Sequence, residues 1–186
     1  MRPSILLMPI SLYLLILILA GCRQKTPQDE PLNQGIDLPA RVIEDDAVLV
    51  VKGKIRKANP AYFDLETIML FSPVSFDVRD AWKGSSSTYT GTSLHDLLQF
   101  LEVEDSASIL DVIASNGYKV SIRIEDVNRY EYILSYKLNN RLYQDYEEDR
   151  NRGPLAIAIN FEKYPELDYE IYKHQLVWYV KTILVR

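Results

Sequence analysis

The chain is poor in the side chains that bind metals or attack substrates. Among its 186 residues it has one cysteine, Cys22, and two histidines, His95 and His174. A zinc site needs three or four well-placed protein ligands, and a disulfide needs two cysteines. No G-x-S-x-G, P-loop or G-x-G-x-x-G motif occurs. The sequence therefore excludes an internal disulfide and argues against zinc, serine-hydrolase and nucleotide chemistry, and we assign no catalytic or metal-ligating residue.

The chain also has fewer basic than acidic residues. The chain has 21 lysines and arginines against 26 aspartates and glutamates, which gives a net charge of −5. A protein that binds nucleic acid through its phosphates needs clustered positive charge. We therefore expect no nucleic-acid partner, and we expect the acidic surface to keep the protein soluble.

One long hydrophobic run stands at the start of the chain. Residues 4–20 follow Arg2 and lead into Leu19-Ala20-Gly21-Cys22, which resembles the lipobox of bacterial lipoproteins. The run lies at the short end of the roughly 17–25 residues that span a bilayer, and its charged start and small-residue end are typical of a removable signal. We predict that residues 1–21 are a lipoprotein signal peptide and that Cys22 carries the lipid; an uncleaved transmembrane helix is the alternative.

The predicted anchor sets an expected location. Arg23 follows the cysteine, in place of the aspartate that commonly retains lipoproteins in an inner membrane. We expect a lipid-anchored protein of the cell envelope, on the outer membrane facing the periplasm if the cell has two membranes. Arg2 stands alone, so the export route of folded, cofactor-loaded proteins, which reads two arginines, is not indicated.

The remaining chain divides into a spacer and one domain. Residues 22–45 contain prolines, a glycine and few apolar side chains, and we predict a flexible spacer there. Residues 46–186 have the length of one domain and alternate short strand and helix patterns. The predicted strands are 47–51, 74–78, 89–91, 109–114, 118–124, 132–138, 141–143, 154–159 and 176–185. The predicted helices are 65–71, 94–101, 125–130 and 169–174. Hairpin turns such as Asn116-Gly117 favour an α+β fold over a doubly wound parallel sheet.

Several fragments, in order, resemble one known family. The segments are Lys52–Ile55, Trp82–Leu98 (WKGSSSTYTGTSLHDLL), Ala114–Asp126 (ASNGYKVSIRIED), Arg152–Leu155 (RGPL) and Val177–Val185 (VWYVKTILV). Together they resemble the oxidoreductase molybdopterin-binding domain, of the sulfite-oxidase type, and its small exported members most closely. The resemblance implies a mixed α+β domain and, in the enzymes, a molybdenum cofactor.

The resemblance lacks the residues that hold that cofactor. In the enzymes a cysteine thiolate on the strand before the tryptophan–glycine segment binds molybdenum, but the strand here, 74–79, has no cysteine. Ala156 and Val177 stand where the enzymes commonly have an arginine and a lysine. A thiolate is a soft ligand that serine or phenylalanine does not replace. We therefore expect no cofactor; bound molybdopterin is the alternative.

Two functions follow from this pattern. The first is a binding module for a small molecule or an envelope protein, with Asn116, Tyr118, Arg152 and Trp178 as candidate ligand-binding residues. Each has a local alternative: the turn for Asn116, core packing for Tyr118 and Trp178, and a surface charge for Arg152. The second function is a molybdopterin-dependent oxidoreductase that lacks the cysteine ligand. A third possibility is an envelope interaction protein without a pocket.

Overall fold

The computed structural model describes residues 46–79, 86–147 and 153–186 of the chain. Within these ranges the chain forms ten strands and four short α-helices. The strands are β1 Leu49–Gly53, β2 Ala61–Phe63, β3 Pro73–Arg79, β4 Ser86–Ser93, β5 Ile109–Ala114, β6 Lys119–Arg123, β7 Tyr132–Leu138, β8 Arg141–Leu142, β9 Ala156–Ile159 and β10 Val180–Val185. The helices are α1 Leu65–Met69, α2 Leu94–Phe100, α3 Ile124–Arg129 and α4 Tyr169–Tyr172.

The described strands form two sheets. The first has the order β2-β1-β10-β5-β6, and the second has the order β3-β4-β7-β8, with β9 also paired to β7. All neighbours pair antiparallel except β1 and β10, which run parallel. Hairpins and short helices connect strands, as the sequence predicted, and the α+β fold class is confirmed.

The longest α-helix in the described ranges, α2, begins with a side-chain cap and buries one face. The side chain of Ser93 accepts a hydrogen bond from the amide of Asp96 at 3.2 Å, which satisfies one free N–H of the first turn. The four leucines at helical spacing are buried: Leu94, Leu97, Leu98 and Leu101. Burial of one leucine side chain contributes roughly 1.5–3 kcal/mol, so this face fixes α2 against the core.

The two ends of the described domain meet in the first sheet. Val50 of β1 lies opposite Thr182 of β10, and Gly53 lies opposite Val185. Gly53 has a φ of 108°, and a Cβ built there would lie 2.1 Å from the carbonyl oxygen of Val185. Only glycine combines this conformation with so close a backbone approach. Gly53 is therefore required for the end of the β1–β10 pair.

Several element bounds differ by a few residues, as in β1 (49–53 against the predicted 47–51) and β4 (86–93 against 89–91), and two strands differ more. The last strand was predicted from Leu176 but begins at Val180, because Tyr179 has a left-handed φ of 58° that interrupts extended backbone. The short strand β2 was not predicted, since three residues are too few for an alternation pattern.

The main core lies between the two sheets and the helices. Its buried members include Phe63, Ile68, Leu110, Tyr132 and Ile183. A second apolar group, of Phe76, Ile133 and Ala158, occupies the other side of the second sheet. Of the helices in the described ranges, none is long and apolar enough to cross a membrane.

Candidate functional site

Backbone hydrogen bonds bring together three segments that the sequence singled out. The amide of Ser115 donates to the carbonyl of Tyr179 at 2.8 Å. The amide of Val180 donates to Leu155 at 2.9 Å, and that of Ile157 donates to Val177 at 2.8 Å. The Asn-Gly-Tyr turn, the Pro-Leu segment and the tryptophan loop therefore meet at one end of the first sheet.

Tyr118 and Trp178 form the exposed part of this meeting point, which we call the aromatic edge. Each side chain is 47% exposed. The hydroxyl of Tyr118 donates to the carbonyl of His174 at 2.9 Å, which fixes the ring across the loop before the tryptophan. Half-exposed aromatic rings of this kind offer an apolar surface to a partner or ligand.

Core packing is the wrong interpretation for both aromatic residues. Tyr118 precedes β6, so it lies outside the alternation that buries Ile122. Trp178 lies between Val177 and Tyr179, and the left-handed backbone at Tyr179 directs the chain so that Val177 and Val180 are buried while Trp178 is not.

The other predicted residues have simpler positions. The side chain of Asn116 accepts a hydrogen bond from the amide of Tyr118 at 3.0 Å, so it closes the turn, as its local alternative stated. Arg152 and Cys22 lie outside the described residues. Both histidines are peripheral: the Nδ1 of His95 pairs with Asn128 at 2.9 Å, and His174 is exposed.

The resemblance assigns the cofactor's protein ligands to β3 and to positions 156 and 177. No thiol lies on β3, where Phe76 is buried at 8% exposure and Ser75 and Asp77 are exposed. Ala156 and Val177 are 1% and 0% exposed, and both are buried among apolar side chains. A lysine or arginine at either position would place a charge in the apolar interior. In the described part of the chain, no three histidine, aspartate or glutamate side chains cluster as metal ligands. These residues do not fit a molybdenum cofactor held by a thiolate and two basic groups.

A cavity of about 610 Å³ lies beside the same strand β3. Its described lining comes from the end of the β3–β4 hairpin and from the loop after β9. The lining residues are Phe76, Asp77, Ser86, Asn160, Glu162 and Lys163. Phe76 also contacts the second apolar group, with Ile133 and Ala158, so the floor of the cavity is fixed by packing.

A hydrogen-bonded network lies on the loop side of the cavity. The ammonium of Lys163 donates to Glu131 at 2.9 Å, and the amide nitrogen of Asn160 donates to the other oxygen of Glu131 at 2.6 Å. The oxygen of the Asn160 side chain accepts from the backbone of Lys163 at 3.1 Å. Burial would raise the pKa of Glu131, but the hydrogen bonds from Asn160 and Lys163 outweigh it and hold that pKa below its usual value. The same hydrogen bond raises the pKa of Lys163, so both groups are charged near neutral pH.

Two carboxylates of the lining remain without a cation in the described residues. Asp77 accepts a hydrogen bond from the hydroxyl of Thr88 at 2.6 Å. Glu162 is exposed and makes no ion pair in the described part of the chain. Lys163 brings a cation to the same lining, so the cavity is bordered by charged groups of both signs. Sequence reasoning missed this site because its parts come from strands and loops distant along the chain.

The solved structures include proteins of similar fold. The sulfane dehydrogenase SoxCD from Paracoccus pantotrophus superposes with a TM-score of 0.56 at 14% sequence identity, over 74% of this chain and 37% of that one. This chain thus corresponds to little more than a third of that protein. No protein-family model matches the sequence, and no curated protein matches it significantly. The structural likeness confirms the predicted fold, a mixed α+β domain with the sulfite-oxidase-type architecture.

Proposed function

We propose that this chain is a lipid-anchored binding module of the cell envelope, built on a sulfite-oxidase-type domain that does not carry the molybdenum cofactor. The observation that supports it is the burial of Ala156 and Val177 among apolar side chains, at the positions where the enzymes commonly have basic residues. In addition, β3 has no cysteine, and the sole cysteine, Cys22, lies before residue 46. Such a domain retains a fold with surface sites but lacks the ligands for redox chemistry.

The binding role has two structural supports. The aromatic edge presents two half-exposed rings, of which that of Tyr118 is tied to the backbone carbonyl of His174, and the cavity beside β3 is of a size that takes small molecules. Asn116, Tyr118 and Trp178 remain candidate residues for a partner at the edge, and Arg152, outside the described residues, remains a candidate from the sequence. The partner is an envelope protein or a small molecule, and membrane lipid is contacted through Cys22.

Metal analysis tests the cofactor half of the proposal. The full chain is expressed in a bacterial host that makes molybdenum cofactor and is purified from its membranes. Elemental analysis and pterin fluorescence should find well under one molybdenum and one pterin per chain. A molybdopterin enzyme from the same host, processed in parallel, should be loaded. Near-stoichiometric molybdenum would overturn the proposal and support an oxidoreductase without the cysteine ligand.

Lipid labelling tests the anchor. Growth with radioactive palmitate should label the chain, and Cys22→Ser should remove both the label and membrane association. Ser4→Ala, within the same signal, is the matched control and should be labelled normally. A Cys22→Ser variant that stays in the membrane would show that residues 1–21 act as an uncleaved helix.

A further inference from the structure

The aromatic edge lies at the end of the first sheet where the chain enters the domain. We propose that this edge rests in the interfacial region of the bilayer to which the chain is anchored, with Trp178 and Tyr118 among the lipid headgroups. The occupant of the edge is thus the surface of a zwitterionic phospholipid bilayer. This inference rests on the membrane anchor in the proposed function, and it adds the face that the anchored domain turns to the membrane.

The strand register places the start of the domain beside the edge. β1 runs parallel to β10, with Val50 opposite Thr182, so residues 46–48 and 178–180 lie at the same end of the two strands. The ammonium of Lys181 donates to the carbonyl of Ala47, which joins the two starts directly. A membrane anchor before residue 46 is therefore attached to the domain at the end of the sheet that carries the aromatic rings.

The turn that carries Tyr118 is at this end as well. β5 runs antiparallel to β10 and ends at Ala114, which lies opposite Val180. β6 then begins at Lys119, directly after Tyr118. Neighbouring strands lie roughly 4.8 Å apart, so the order β1-β10-β5-β6 places the start of β6 roughly 14 Å from the start of β1. A domain held at β1 thus brings both rings toward the same surface.

The exposed side chains at this end suit the boundary between lipid and water. Tyr118 and Trp178 are each 47% exposed, and Ile171, three residues before His174, is 64% exposed. Tryptophan and tyrosine combine an apolar body with a polar atom, and they are enriched at both surfaces of a bilayer. Because the hydroxyl of Tyr118 donates to the carbonyl of His174, its ring is ordered before it meets lipid.

The charges near the edge do not favour anionic lipid. Lys119 pairs with Asp111 at 2.8 Å, and the start of β1 has one charge of each sign in Asp46 and Lys181. Attraction to anionic headgroups needs clustered lysine and arginine. We therefore expect a contact made by aromatic and aliphatic groups, which salt does not screen.

Fluorescence of Trp178 in reconstituted vesicles tests the contact. The full chain is purified from bacterial membranes and reconstituted into phosphatidylcholine vesicles, either plain or brominated on the acyl chain close to the headgroup. Trp82→Phe leaves Trp178 as the sole tryptophan. Its emission should shift to shorter wavelength on transfer from detergent to vesicles. It should also lose intensity in the brominated vesicles, since bromine quenches only rings that reach the acyl chains, and added NaCl should not restore it.

The matched control places a tryptophan at the opposite end of the same sheet. Ser106 is exposed, and its carbonyl accepts a hydrogen bond from Lys54, directly after the end of β1. Ser106→Trp, combined with Trp82→Phe and Trp178→Phe, should give emission that bromine does not change. Melting temperatures verify folding. If Trp82→Phe does not fold, the difference between the wild type and Trp178→Phe gives the signal of Trp178 with Trp82 in place.

Two results would overturn the inference. The first is equal quenching by bromine at positions 178 and 106. The second is a Trp178 that acrylamide in the water quenches while brominated lipid does not, which would leave the edge to a protein partner.

Palmitate labelling of the same preparation separates this inference from the proposed function. A labelled protein whose Trp178 is not quenched by brominated lipid refutes only the membrane contact of the edge. An unlabelled protein whose Trp178 is quenched refutes the lipid anchor and supports the contact. An unlabelled protein that does not sediment with the vesicles refutes both.

Discussion

Two carboxylates are each surrounded by several donors, and the two centres differ in how completely they are enclosed. In the first sheet, Asp111 is 1% exposed and contacts Lys119 and Arg186 at 2.8 Å each and the hydroxyl of Ser121 at 2.6 Å. Glu131, which directly precedes β7 of the second sheet, has a side chain that is 26% exposed, with Asn160 and Lys163 as its partners.

The two centres also differ in their surroundings. Asp111 carries one negative charge against two cations and is not among the residues that line the cavity beside β3. Glu131 pairs with a single cation, Lys163, and Lys163 and Asn160 both line that cavity. We therefore expect Asp111 to act mainly on the stability of the fold, while Glu131 fixes two side chains of a candidate site.

The largest effect is expected at the enclosed centre. Asp111→Asn keeps the shape but removes the charge that Arg186 and Lys119 share, so the free energy of unfolding should fall by about 2 kcal/mol. Urea unfolding followed by circular dichroism measures this. Asp105→Asn, an exposed aspartate of the preceding loop, should leave stability unchanged.

The same variant should change the response to acid. The hydrogen bond from Arg186 outweighs burial and holds the pKa of Asp111 far below its usual value. A lowered folded-state pKa gives stability that is fully present above the unfolded value, about 3.9, and is lost as the pH falls toward the folded value. Below about pH 4 the wild type should therefore lose stability more steeply than Asp111→Asn. If the free energy of unfolding falls equally with pH in the wild type and in Asp111→Asn over that range, the enclosed ion pair is contradicted.

A smaller effect is expected at the open centre. Glu131→Gln should lower the free energy of unfolding by about 1 kcal/mol or less, because water screens the half-exposed Lys163. A stability loss as large as that of Asp111→Asn would remove the distinction between the two centres.

The smallest effect is expected at the aromatic edge, because the hydrogen bond there joins two uncharged groups. Tyr118→Phe removes the hydrogen bond to the carbonyl of His174 and should cost about 0.5 kcal/mol, because both groups can bond to water instead. If Tyr118→Phe costs more than Glu131→Gln, the edge depends on this bond more than its exposure indicates.

The parts of the fold that the sequence predicted depend on neighbours along the chain. The cap at Ser93 and the leucines of α2 lie within nine residues, and the Asn139-Asn140 turn joins β7 to β8 directly. Both asparagines have positive φ values, of 49° and 63°, which this residue type tolerates. Such signals need no knowledge of the tertiary structure.

The parts that sequence reasoning missed depend on residues far apart. Glu131 and Lys163 are 32 positions apart, and Asp111 and Arg186 are 75 apart. Neither pair has a spacing that predicts contact, because only the order of strands in the sheets brings them together. The exposure of Tyr118 and Trp178 likewise depends on where β6 and β10 begin, and aromatic content alone favoured burial.

The parallel pair of β1 and β10 has a mechanical consequence. β1 is the first strand of the domain, and it is bonded to β2 on one side and to β10 on the other. A pulling force applied through the residues before 46 and directed along β1 loads its hydrogen bonds to β2 and to β10 in shear. Many hydrogen bonds then resist the force together, instead of breaking one after another. A domain that begins in this way can be pulled from its amino-terminal side without unravelling from that end.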